Sequence, residues 1–205
     1  MINRFLQAKH WQLFILMFGL PIIFQIFIMT SMFADVDANG NPNPETFFNF
    51  FKLFPIIMFL YTGLFYGWFW SIANGLQKFI PAENRLKLKK FRIFFFIPLI
   101  YILFFVVIIG TTFYGISTGD NAVGGIVGKM LFVILPLHLF SMFCMFYQLY
   151  FTSKTIKTAE LKRKVTFSDH MGEFFMIWFF PIGIWVIQPK INRIVNGENT
   201  TDKNV

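Results

Sequence analysis

Charge is what this sequence has least of: 14% of its 205 residues are Asp, Glu, Lys or Arg, against about 25% in an ordinary soluble domain. A water-solvated globule is excluded, because 56% of the chain is hydrophobic and the apolar residues run in long blocks. Cysteine is nearly missing. The single Cys144 excludes an internal disulfide, and its place inside an apolar block reads as a buried structural thiol. No H-E-x-x-H, G-x-S-x-G or CxxC occurs, and Gly128-Lys129 lacks the rest of a phosphate loop, so neither an enzyme nor a cofactor is expected. Internal repeats and heptad runs are also absent.

Phenylalanine is abundant, with 32 copies. Its bulky, apolar ring suits a lipid-facing surface or a dry constriction, although AT-rich codon usage is the blander and favoured explanation of the count. Five apolar segments stand out, at about 12–33, 48–75, 93–115, 130–152 and 172–188. Each of the first four is long enough to cross a hydrocarbon core of about 30 Å at about 1.5 Å per residue. Pro21, Pro55, Pro98 and Pro136 fall within these blocks, where proline kinks a transmembrane helix without destroying it. The first segment is too long for a signal-peptide core and no A-x-A site follows, so it is expected to be a retained helix. The fifth is broken by Pro181 and Gly183. It has basic residues on both flanks, which favours a re-entrant or interfacial helix pair over a fifth span. The expected fold is therefore an all-α integral membrane protein: four transmembrane helices plus a fifth short, Pro/Gly-broken apolar helix. Residues 1–195 form one helical membrane domain, and 196–205 form a polar, disordered tail in which the Asn199-Thr200-Thr201 sequon is incidental.

The loops alternate in charge. Arg4 and Lys9 precede the first segment, and Lys78, Arg85, Lys87, Lys89, Lys90 and Arg92 follow the second. Lys154, Lys157, Lys162, Arg163 and Lys164 follow the fourth. Only Lys52 and Lys129 fall on the opposite side, which also carries Asp35, Asp37 and Glu45 around an Asn39–Pro44 turn. The positive-inside rule then places the N-terminus in the cytoplasm of a multi-pass inner-membrane protein.

Three groups of residues are candidates for function. On segment four, His138, Ser141, Gln148 and Thr152 share one helical face. Such a stripe lines an aqueous path or bonds to neighbouring helices within a packed bundle. On segment two, Gly63, Gly67 and Ser71 form a small-xxx-small ladder that lets helix backbones approach closely. The basic residues Arg85, Lys87, Lys89, Lys90, Arg92, Lys154, Lys157, Lys162, Arg163 and Lys164 either follow topology and attract anionic headgroups or receive a specific anionic ligand or partner protein. Stacking aromatics and glycine-rich loops of a conventional nucleic-acid module are missing. With His138 the sole titratable residue in the polar stripe, no metal site is read there. The Thr166–Glu173 cluster reads as a helix cap in which Asp169 closes on Thr166, ahead of any cation-binding or acid–base role.

Two functional classes follow from these features. One is a homo-oligomeric channel or pore, lined by the segment-four stripe and gated at the basic face. The other is a non-transporting membrane subunit that anchors or stabilises a larger complex. A membrane-embedded lipid enzyme, resting on His138 or the Asp169–Glu173 pair, comes third.

Overall fold

The computed structural model describes residues 2–36, 40, 43, 53–118 and 122–197, with the side chains of 116, 117 and 122–131 left aside. Asp37, Asn39, Glu45, Lys52, Asp120 and the tail beyond Gly197 lie outside the described residues, as does the side chain of Lys129. The order of elements is α1 (Ile2–Gln7), α2 (His10–Phe14), a π turn (Ile15–Gly19), α3 (Leu20–Ala34), α4 (Phe54–Gly75), two 3-10 turns (Leu76–Phe79 and Ala82–Asn84), α5 (Leu88–Ser117), α6 (Ala122–Leu161), α7 (Phe167–Trp178) and α8 (Phe180–Asn196).

Among the described residues, four helical runs are long and apolar enough to cross a membrane: His10–Ala34, Phe54–Phe79, Leu88–Gly115 and Phe132–Leu161. They match the first four apolar segments, and the prolines fall where backbone chemistry tolerates them. Pro55 opens α4, where an unpaired N–H would exist anyway. Ahead of Pro21 the helix widens into the π turn, and the Leu20 N–H reaches back to the Ile15 carbonyl. Proline at 21 has no N–H to donate and its ring crowds the preceding turn, which is a recognised cause of such bulges.

Helix α6 runs well past the apolar block that ends near residue 152. In this stretch Thr155 and Thr158 satisfy their hydroxyls by donating to the carbonyls of Phe151 and Lys154, at 2.8 and 2.7 Å. Both threonines are buried, so this polar-looking turn is packed inside protein.

The fifth segment is two helices. Thr166 opens α7, its N–H donating to the Asp169 carboxylate at 2.8 Å as the cap expectation required. The chain then reverses at Phe179 and Pro181 sits in the first turn of α8. A Cβ placed on Gly183 would fall on the carbonyl of Met176, so only glycine permits the two arms to cross this closely. Gly197, at φ 75°, ends α8 in the left-handed conformation, with its N–H bonded back to the last turn.

Contacts between α4 and α5, α5 and α6, and α6 and α7 are all antiparallel. Tyr66 meets Phe95 while Trp70 meets Phe91; Tyr101 meets His138 while Phe91 meets Phe151; Ser153 meets His170 while Phe146 meets Trp178. One end of the bundle thus collects α1, the 3-10 turns and the C-terminal part of α6. Both open ends of the α7–α8 hairpin return there as well. Asn84 donates to the Lys162 carbonyl at 3.2 Å, and Gln188 donates to the Phe5 and Ala8 carbonyls at 3.0 and 2.9 Å. We call this end the basic pole. The densest core lies beneath it, built from Leu6, Trp68, Ile72, Leu76, Phe91, Ile156, Ile184 and Ile187.

Candidate functional site

Two adjoining cavities open on the basic pole. Three structural devices shape them. Gln77 accepts a hydrogen bond from the Leu86 N–H at 3.1 Å, which pins the extended Arg85–Lys87 strip. Asn84 ties that strip to the end of α6 through Lys162, whose positive φ of 53° turns the chain away. Lys154 rises between them, its ammonium 3.4 Å from the Tyr150 hydroxyl and 5.5 Å from the ring centroid.

The first cavity, of about 290 Å³, has Arg85, Lys154 and Lys164 on its wall, with Glu83 its only carboxylate. The second, of about 390 Å³, is lined by Lys87, Lys89, Lys90 and Lys154 over Tyr147, Tyr150 and Phe151, and has no carboxylate. Leu86 and Lys154 belong to both. Six cations drawn from two distant stretches of sequence therefore line a basin of two cavities that share Lys154, and the second of them has an aromatic floor. Ammonium and guanidinium groups at such density favour a phosphate or a carboxylate, and an amphiphile can lay its apolar part along the tyrosines.

Three of the four remaining basic candidates are committed elsewhere. Arg163 forks onto Asp169, at 3.0 and 3.4 Å, and Arg92 lies over Trp70 at 5.9 Å. Lys162 is exposed beside the basin. Lys157 enters a closed ring of charges: it meets Glu160 at 2.9 Å and Glu173 at 3.2 Å, and Lys190 meets the same two carboxylates at 3.2 and 2.7 Å. The ring is neutral, mostly buried, and joins α6, α7 and α8. Burial pushes the Glu173 carboxyl up, but the Lys190 hydrogen bond and the Lys190 and Lys157 charges outweigh it, so Glu173 titrates below the ordinary carboxylate range. The Thr166 N–H and the Arg163 guanidinium bring exposed Asp169 down to about 2.

The segment-four stripe divides. Gln148 donates to the Phe94 carbonyl at 3.1 Å and is buried, as are Ser141 and Thr152. His138 is exposed on the outside of α6 and hydrogen-bonds the Tyr101 hydroxyl through Nδ1 at 3.0 Å. The small-residue ladder makes no close helix contact at Gly63, where a Cβ would meet nothing within 4 Å, and Ser71 donates back to the Gly67 carbonyl. Close helix approach occurs at Gly75 against Ile2 and Leu6, and at Gly183.

Two buried features carry no advance signal in the sequence. Gln188 accepts from the Trp68 indole N–H at 2.9 Å and donates to the α1–α2 break, stitching α8 to the N-terminus. His170 is fully buried, its Nδ1 2.9 Å from the Ser153 hydroxyl and its Nε2 unpartnered. Burial first, then the Lys154 charge, hold its pKa below the usual histidine value. A Ser–His pair of this kind is shut off from any substrate, so it reads as packing.

Comparison with protein-family models, with curated proteins and with solved structures returns no match.

Proposed function

We propose that this protein is a multi-pass membrane subunit that holds the phosphate headgroup of an anionic amphiphile on its basic pole and serves as an anchoring element, without conducting ions itself. The exposed surface of its four long helices is apolar, with Ile23, Ile100, Phe132 and Leu139 open to the surroundings, as lipid-facing residues are. The positive-inside rule puts the basic pole in the cytoplasm. The α7–α8 hairpin then enters and leaves on that side as a re-entrant or interfacial element. The observation that carries the reading is the basin itself: Lys87, Lys89, Lys90 and Lys154 line a cavity over Tyr147 and Tyr150, and Arg85 and Lys164 line the cavity beside it.

The stripe bears on the choice between anchor and pore. Three of its four polar residues are packed inside a single protomer, and Gln148 spends its amide on a backbone carbonyl there. That placement supports packing over water lining. The oligomeric pore keeps one observation in its favour: His138, one member of the stripe, is exposed on the outside of α6.

Calorimetric titration of the detergent-solubilised protein with short-chain phosphatidylglycerol tests the reading, with phosphatidylcholine as the zwitterionic control. Phosphatidylglycerol should bind more tightly, lose affinity as salt rises and lose it again in Lys154→Gln. Equal binding of the two lipids refutes the headgroup site. Ion flux through liposomes reconstituted with the protein alone favours the pore.

A further inference from the structure

The two cavities of the basic pole differ in depth. Helix α6 runs toward this pole, so a lower residue number on its C-terminal part means a position closer to the membrane core. The cavity of about 390 Å³ takes Tyr147, Tyr150, Phe151 and Lys154 from α6, whereas the cavity of about 290 Å³ takes Lys154 and Thr158. The strip that leads into α5 gives the same order in the opposite chain direction. Glu83, Asn84 and Arg85 line the smaller cavity alone, and Lys87, Lys89 and Lys90 line the larger alone. Two antiparallel stretches therefore agree that the larger cavity lies on the membrane side and the smaller toward the aqueous end of the pole. Lys154 and Leu86 stand at the boundary, in both walls. The two also differ in chemistry. Aromatic rings floor only the larger one, and the apolar side chains of the smaller are Leu86 and Val165. Arg85, Lys154 and Lys164 against the single Glu83 leave the smaller cavity net positive as well.

We propose that the basin takes an anionic lipid with a second phosphate on its headgroup, the phosphate next to the acyl chains lying in the larger cavity and the distal phosphate in the smaller. This inference rests on the headgroup reading and extends it. An aromatic floor on the membrane side alone suits a ligand with acyl chains at one end, and that end points toward the bilayer. Cations in both cavities suit a ligand with an anionic group at each level. From Lys154, at the boundary, to Thr158, in the smaller cavity, α6 rises roughly 6 Å at about 1.5 Å per residue. A three-carbon polyol with a phosphate at each end covers that step. Lys154 then stands between the two phosphates and offsets their mutual repulsion.

Calorimetric titration of the full-length protein in detergent compares short-chain phosphatidylglycerol with short-chain phosphatidylglycerol phosphate, which differs only by the distal phosphate. Glycerol 1,3-bisphosphate, with both phosphates and no acyl chain, is the soluble arm. Phosphatidylglycerol phosphate should bind about tenfold tighter than phosphatidylglycerol, the gain expected from further charge-assisted hydrogen bonds. Lys164→Gln and Arg85→Gln, each confined to the smaller cavity, should cut that advantage to about threefold or less and leave phosphatidylglycerol binding unchanged. Lys87→Gln, confined to the larger cavity, should weaken both lipids alike. Equal binding of the two lipids to the wild type overturns the proposal and leaves the headgroup reading intact, whereas binding of neither removes both. An advantage that survives Lys164→Gln and Arg85→Gln but falls in Lys87→Gln overturns it too, because the distal phosphate then has no place in the smaller cavity. Glycerol 1,3-bisphosphate binding as tightly as the phosphorylated lipid overturns the lipid assignment in favour of a soluble ligand.

Discussion

Replacing Lys190 with methionine isolates what the charge ring contributes. Lys190 reaches both Glu160 and Glu173, and its removal leaves two carboxylates sharing Lys157, a net charge of −1 behind side chains only 8–9% exposed. Breaking a buried ion pair by deleting one partner costs about 3–5 kcal/mol, because the abandoned charge stays desolvated. Both lysines are about a fifth exposed, so the low end applies, at about 3 kcal/mol. For a chain of this size that corresponds to a fall in Tm of roughly 6–12 °C. Adding Glu160→Gln to Lys190→Met restores neutrality through the remaining Lys157–Glu173 pair. The double variant should recover at least half of the loss.

Thermal unfolding in one detergent at one pH, followed by helical circular dichroism, measures all four corners of the cycle. If the double variant is as unstable as the sum of the singles, the residues act independently and the ring is not a unit. The pH dependence gives a second check. Glu173 titrates below its unfolded value in the folded protein, so its contribution is complete above about pH 4.3 and disappears as pH falls through the folded pKa. In Lys190→Met that acid-side loss should shrink, because the chief hydrogen-bond partner is gone.

Other outcomes follow from particular contacts. Gly183→Ala should open the α7–α8 crossing and lower the yield of monodisperse protein in size-exclusion profiles, whereas Gly172→Ala, with nothing within 4 Å of its Cβ, should be neutral or gain up to about 1 kcal/mol. His170 is held neutral by burial, so stability should already decline as pH falls below about 6.5. In His170→Asn that early decline should be missing from a pH series of melting curves, and its persistence would assign the effect to another group. A single-cysteine variant at exposed Lys162, with Cys144 replaced by serine, should resist a membrane-impermeant maleimide in intact cells and react after lysis. Labelling without lysis would reverse the orientation of the basic pole.

The four long helices are legible because hydropathy reports the solvent of a side chain directly, and lipid demands uninterrupted apolar runs. Where a helix ends is a different matter. Helix α6 extends to Leu161 through a turn in which Thr155 and Thr158 satisfy their own hydroxyls and pack inward, an arrangement no hydropathy window detects. The break in the fifth segment is readable from Pro181 and Gly183. The reason glycine is required there is not, since it depends on the position of the Met176 carbonyl across the turn. The basic residues show the same division between chemistry and place. Charge alone groups ten of them together, yet the fold spends Lys157 on Glu160 and Glu173, Arg163 on Asp169 and Arg92 on Trp70. Acidic partners neutralise Lys157 and Arg163, whereas the cations lining the two cavities, from the Arg85–Lys90 strip and from Lys154 and Lys164, keep their net attraction for an anion. The charge ring thereby sharpens the site. It ties α7 and α8 to α6 with a neutral lock, and it leaves Lys87, Lys89, Lys90 and Lys154 together around Tyr147 and Tyr150 with no carboxylate lining that cavity.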